Sequence, residues 1–158
     1  MVNVLDKVQP KNKTQLKSLI EYAFNHNIYD LNFIDTSEIT DMSNLFMNCE
    51  YDIDVSNWDV SNVTNMSGMF YNCENFNCDL SKWNVSNVTN TAGMFYFCKN
   101  FDCDLSRWNV SNVKYMYLMF HNCKKFNSNM SNWNITKAKS TLNMFDGCNK
   151  KTIPDWYK

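Results

Sequence analysis

Seven cysteines and two histidines are the residues of this 158-residue chain best suited to nucleophilic, redox or metal chemistry. Cys49, Cys73, Cys98, Cys123 and Cys148 form one series, with a first step of 24 residues and then steps of 25, and Cys78 and Cys103 form a second series at 25. No Cys-x-x-Cys or His-x-x-x-His pair occurs, so the usual ligand spacing of a zinc site is missing. His121 and Cys123 can be drawn as a base beside a thiol nucleophile, but a cysteine that recurs at a fixed step is a core position first, and a buried thiol is inert. Stacked cysteines about 5 Å apart with parallel side chains are poorly set for a disulfide dihedral. Buried free thiols acting as small hydrophobes are expected.

Carboxylates form the second candidate. Asp52, Asn77, Asp102 and Asn127 recur in one row, and Asp54, Asp79, Asp104 and Asn129 in another. Carboxylates at about 5 Å repel unless a cation or an amide intervenes, and calcium takes six to eight oxygen ligands. The choice lies between a solvated acidic stripe eased by asparagine and a metal or small-ligand site on Asp52, Asp54, Asp79, Asp102 and Asp104. With three glycines no phosphate-cradling loop is hidden. Arg107 is the only arginine, with Lys82 at the matching place one step earlier, too little for a carbohydrate-cleaving site. We therefore expect no catalytic residues, no cofactor and no resident metal.

The elements that position these residues follow from the repeat. Trp58, Trp83, Trp108 and Trp133 fall at intervals of 25 residues, as do Phe70, Phe95, Phe120 and Phe145, with Phe46 one shortened step earlier. A unit of this length cannot bury its apolar side alone and must stack on its neighbours. Met66, Met69, Phe70 and Cys73 stand at i, i+3, i+4 and i+7, one face of a two-turn helix. The period then changes to two: Phe76, Cys78 and Leu80 alternate with Asn77, Asp79 and Ser81, as in a strand buried on one side. The spacing predicts an α/β repeat solenoid whose 25-residue coils each hold one short parallel strand and one short helix, with inward rows Tyr51/Phe76/Phe101/Phe126, Ile53/Cys78/Cys103/Ser128 and Val55/Leu80/Leu105/Met130. Leu16, Leu19, Ile20, Ala23 and Phe24 form an amphipathic stripe after Pro10 and Asn12. The expected division is a helical cap over 1–30, about five coils over 31–150, and a terminal cap over 151–158, where Ile153, Pro154, Trp156 and Tyr157 break the repeat.

The chain is 44% hydrophobic and 20% charged with net charge −1, a folded object without the concentrated basic face that nucleic acid requires. Lys124, Lys125, Lys137, Lys139, Lys150 and Lys151 gather late in the chain and are read as a solvated last turn. No apolar run is long enough to span a membrane. Residues 1–10 hold Asp6 and Lys7 where a signal peptide needs an apolar core, so a cytoplasmic location is expected of the chain as written, and a cell-surface one if an export signal was removed. Asn-x-Ser/Thr sequences at Asn62, Asn87, Asn109 and Asn134 are by-products of the repeat, since glycans cannot crowd a ladder spaced about 5 Å.

The segment Val60-Ser61-Asn62-Val63-Thr64-Asn65-Met66 with Met69-Phe70, Cys73, Phe76-Asn77 and Asp79-Leu80-Ser81-x-Trp83, and the entry segment Leu31 to Phe46, resemble the repeat signature of the BspA-type leucine-rich-repeat surface protein family. The likeness covers about residues 13–157 and recurs four times. It implies a leucine-rich-repeat-like scaffold whose better known members are surface proteins and adhesins that bind other proteins. The cysteines at 78 and 103 and the absent export signal depart from it.

Using the repeat as its own reference, Tyr115 and Tyr117 stand where other units have Asn65, Asn90, Ser67 and Ala92, and Phe97 stands where they have Asn72 and Asn122. With Tyr71 and Tyr96 these are expected to form an exposed aromatic cluster on the helix wall, the kind of patch that anchors interfaces. The function expected is non-enzymatic binding of another protein, with self-association through the same aromatics as a further outcome.

Overall fold

The computed structural model describes residues 7–149 and 153–157. Residues 1–6, 150–152 and 158, including Lys150 and Lys151, lie outside the described residues, and with them parts of both expected caps. One helix, α1, spans Lys13–Asn25. Asn12 caps it, its extended backbone at φ −161° and its side chain accepting the Gln15 N–H at 3.0 Å, which satisfies one of the orphan donors of the first turn. Asn27, at φ 56°, ends it. Leu16, Ile20 and Ala23 bury its inner face.

Among the described residues there is no second helix and no strand; six isolated parallel bridges are the only strand-like pairings. The expected leucine-rich-repeat solenoid, with a strand and a helix in every coil, is corrected accordingly. The repeat survives as five stacked layers built of turns. Over 66–73 the N–H groups of Met69, Tyr71 and Cys73 donate to Met66, Gly68 and Phe70 carbonyls, closing successive four-residue turns. The N–H groups between them, on Met66, Gly68, Phe70 and Asn72, donate to Asn90, Ala92, Met94 and Tyr96 carbonyls of the next layer at 2.6–2.9 Å.

Backbone sign explains why no helix forms. Asn44, Gly68, Gly93, Leu118 and Asn143 have φ between 53° and 61°, and Asn48, Asn72, Phe97, Asn122 and Gly147 between 57° and 75°. Each is the third residue of a turn, where a type II geometry requires positive φ, and an α-helix cannot pass through such a residue. Met66, Met69, Phe70 and Cys73 still all point inward. A turn ribbon therefore mimics the i, i+3, i+4, i+7 pattern without being helical. At Gly68 the approach is also close: a Cβ there would meet the Asn44 side-chain amide oxygen, which would have to move aside.

The segment expected as a strand keeps its alternation, with Phe76 and Leu80 buried and Asn77 and Asp79 exposed. It lacks a backbone ladder because side chains take the ladder's bonds. The Leu80 N–H donates to Cys103 Sγ (3.1 Å) and that of Leu105 to Ser128 Oγ (2.9 Å), while Asp102 and Asn127 N–H groups donate to Asn77 Oδ1 (2.8 Å) and Asp102 Oδ1 (2.9 Å). Cys78, Cys103 and Ser128 are thus connectors between layers and not simple core filling.

The core is a column of rings. Phe46, Phe70, Phe95, Phe120 and Phe145 stack at 5.6–5.7 Å with planes within 13°, and Phe76, Phe101 and Phe126 make a second column at 5.8 Å. Tyr51 does not begin that second column: it is 43% exposed and packs on Phe24 and Tyr29. Each tryptophan indole N–H is buried against a carbonyl one layer back, Trp58 on Leu31, Trp83 on Val55, Trp108 on Leu80 and Trp133 on Leu105. Trp156 does the same on Met130 at 2.9 Å, so the terminal segment continues the tryptophan row instead of breaking it. Tyr157 then closes the phenylalanine column edge-on to Phe145 at 5.1 Å.

Candidate functional site

The aromatic wall arises because residues 71, 96 and 121 immediately follow the buried phenylalanines and so point the other way. Tyr71 and Tyr96 stack at 4.4 Å and 11°, and His121 stacks on Tyr96 at 4.9 Å and 8°. Phe97 leans on both, 4.7 Å from Tyr96 and 5.9 Å from His121. All four are half-buried. Burial, with the neighbouring Tyr96 phenol second, pushes the Tyr71 hydroxyl up from its ordinary value. Of the five predicted aromatics the structure brings together Tyr71, Tyr96 and Phe97. Tyr115 and Tyr117 lie farther along the wall, 39% and 42% exposed, with no ring partner among the described residues.

Two members were missed. His121 occupies the row of Tyr71 and Tyr96, a signal present in the 25-residue step but hidden by weighing the histidine only as a base. Its Nδ1 is buried without a hydrogen-bond partner among the described residues. Leu142, 68% exposed, follows Tyr117 in the next layer.

Among the described residues, Phe97 and Leu118 are the two turn residues at positive φ that are neither glycine nor asparagine. A bulky side chain there costs about 1–2 kcal/mol of backbone strain. At Phe97 the strained backbone holds the ring against Tyr96 and His121.

The acidic rows are committed to the backbone. Asp54, Asp79 and Asp104 Oδ1 each accept the N–H of the serine two residues on, at 2.9 Å, an Asx turn. Each also accepts from the next layer: Cys78 Sγ–H at 3.5 Å, Cys103 Sγ–H at 3.6 Å and Ser128 Oγ–H at 3.1 Å. Bonds from Ser81 hold the Asp79 carboxyl below its ordinary value, and bonds from Ser106 and then Ser128 do so at Asp104. At Asp54 burial opposes, but the Ser56 bonds prevail and the net direction is again downward. Asp52 and Asp102 are exposed, Asp102 bonded to the Asn127 N–H. Among the described residues no three His, Cys, Asp or Glu side chains are placed to hold a metal ion.

The cysteine ladder is likewise occupied. Cys73, Cys98, Cys123 and Cys148 thiols donate to Phe46, Phe70, Phe95 and Phe120 carbonyls at 2.8–2.9 Å. Burial pushes the Cys73 and Cys78 thiols up to about 12 and the Cys98 and Cys123 thiols well above the ordinary range. His121 and Cys123 face opposite sides of the wall and form no nucleophile pair; all seven cysteines are free. His26 is bonded through Nδ1 to the Tyr22 carbonyl at 2.8 Å, beyond the end of α1. The sequon asparagines Asn62 and Asn87 donate their side-chain amides to Ser37 and Ser61 carbonyls.

No helix among the described residues is long and apolar enough to cross a membrane. Neither a curated protein nor a solved structure matches the chain. A family model matches residues 14–106 and again 40–156, nearly the whole stack and its cap helix. On that match the chain belongs to the family described as "Mycoplasma protein of unknown function, DUF285".

Proposed function

We propose that this chain is a non-enzymatic protein-interaction module, adhesin-like or scaffold-like, that binds another protein through its outer turn wall. The observation that carries this reading is Phe97. At the equivalent place the other layers have Asn48, Asn72, Asn122 and Gly147, residues that tolerate positive φ, whereas here the strain accompanies a half-exposed ring on Tyr96 and His121. Rigid aromatics in partly desolvated clusters commonly anchor interfaces. The resemblance of the repeat signature to BspA-type surface proteins supports the same class, and display at the cell surface belongs to this reading.

The test is a double variant, Phe97→Asn with Tyr117→Ser. Asparagine suits the backbone at 97 and Tyr117 is 42% exposed, so the melting temperature should stay within about 4 °C of the parent. Capture of the partner from the native source by the immobilised protein should be lost. Unchanged capture, or unfolding with no separable binding defect, would refute the assignment.

A further inference from the structure

Charge is sorted along the stack. Residues 30–82 hold ten Asp or Glu and one Lys, whereas residues 83–158 hold four Asp or Glu and ten Lys or Arg. Because the layers stack in chain order, the first ones are acidic and the last ones basic. Single rows beside the outer wall show the change of sign. On one edge Glu50, Glu74, Lys99 and Lys124 follow one another, exposed except for half-buried Lys99, and Lys99 Nζ lies 2.7 Å from Glu74 Oε1. On the other edge run Thr40, Thr64, Thr89, Lys114 and Lys139, each N–H after the first bonded to the carbonyl one layer back.

Side-chain size is sorted in the same direction. The row Ser43, Ser67, Ala92, Tyr117, Leu142 grows from small to large, its later four carbonyls each accepting an N–H from the layer before. Tyr117 is 42% and Leu142 68% exposed. Midway, in the third of the five layers, stand Tyr96 and the strained Phe97.

We infer that the outer wall pairs with a second copy of this chain, antiparallel, about a two-fold axis lying in the wall plane across the third layer. The inference rests on the reading of the wall as an interface and names its partner. About such an axis every row faces itself in reverse order, since a two-fold interface joins the same patch on both copies. Lys124 then meets Glu74, Tyr117 meets Ser67 and Leu142 meets Ser43, so opposite charges and unequal volumes are matched together. Glu74 bridges Lys99 of its own chain and Lys124 of the second copy, which offsets the approach of the two Lys99 side chains near the axis. Phe97 meets its own copy, and at its row the other four layers keep Asn or Gly. The other arrangements fail on the same polarity. Parallel walls set Lys114 against Lys124. End-to-end stacking brings the basic layers to a first layer that α1 covers, where Lys11 and Lys13 already hold Glu38 and Asp41.

The experiment is sedimentation equilibrium of the whole chain from about 1 μM to about 1 mM, the range of weak specific pairs. It is run at about 20 mM and about 500 mM salt. A reversible dimer is expected at low salt and should weaken severalfold at high salt. Lys124→Glu and Glu74→Lys should each weaken it by about tenfold or more, because the two-fold repeats every reversed pair. Phe97→Asn should weaken it too. The two charge variants mixed in equal amounts should form a heterodimer about as stable as the parent dimer, since both reversed pairs become complementary, and this also shows that both variants fold. A monomer throughout the range, a dimer indifferent to both charge reversals, or a mixture that stays monomeric would overturn the pairing. If the immobilised chain in any of those cases still captures a protein from the native source through Phe97 and Tyr117, the wall remains an interface for a different partner; if that capture also fails, both readings fall.

Discussion

Phe70, Phe95 and Phe120 stand beside Tyr71, Tyr96 and His121 in sequence, and the same 25-residue step stacks both sets, yet the two columns obey different rules. The inner column runs unbroken through all five layers at 5.6–5.7 Å and is fully buried or nearly so. The outer one covers three layers, tightens to 4.4 Å between its tyrosines and tolerates a histidine. Inside, every ring must fill the same volume or leave a cavity. Outside, water fills what a smaller side chain vacates, so the row is free to vary and to acquire a binding role.

The largest expected effect breaks the inner column. Phe95→Ala should destabilise the chain by about 3–5 kcal/mol, whereas Tyr96→Ser, one residue on and half-exposed, should cost less than half as much. Urea denaturation midpoints at constant slope will rank them; equal losses would mean that the outer column is part of the core.

A smaller change sharpens the comparison at the backbone. Leu118→Gly should stabilise the chain or leave it unchanged, because relief of about 1–2 kcal/mol of positive-φ strain offsets the lost side chain. Gly68→Ala should destabilise it, by strain and by collision with Asn44. Reversal of these signs in thermal melts would show that the turns are not the type II ribbon described.

Acid titration addresses the polar bonds outside both columns. The Asp54, Asp79 and Asp104 carboxyls are held below their ordinary value of 3.8. Their contribution is therefore complete above the unfolded value and is lost as pH falls through the lowered folded values. The melting temperature should be flat from about pH 6 to 5 and fall below about pH 4. A triple Asp→Asn change at 54, 79 and 104 should flatten that acid limb while keeping the turns, since Asn129 already makes the same bond to the Ser131 N–H at 3.0 Å. An undiminished acid limb in the triple variant would place the titrating groups elsewhere.

Much of this architecture was legible from spacing. Trp58, Phe70 and Cys73 with their successors, read at 25-residue steps, identify the stack and the buried faces, because residues of similar volume occupy equivalent places in repeated layers, and the amphipathic stripe of Leu16, Leu19, Ile20, Ala23 and Phe24 identifies the end helix. The same spacing determined that the cysteines are ladder members, and the thiols bonded to Phe46, Phe70, Phe95 and Phe120 carbonyls agree with that. Secondary structure was not legible. An inward pattern of Met66, Met69, Phe70 and Cys73 fits a helix and a ribbon of turns equally well; the sign of φ at residues 68 and 72 decides between them, and side-chain periodicity does not report it. Nor could alternation at Phe76, Cys78 and Leu80 show that Cys103 Sγ takes the bond a strand would have given to a carbonyl. That choice depends on the distance between layers and on which polar atom reaches the N–H first, and only the assembled stack sets both.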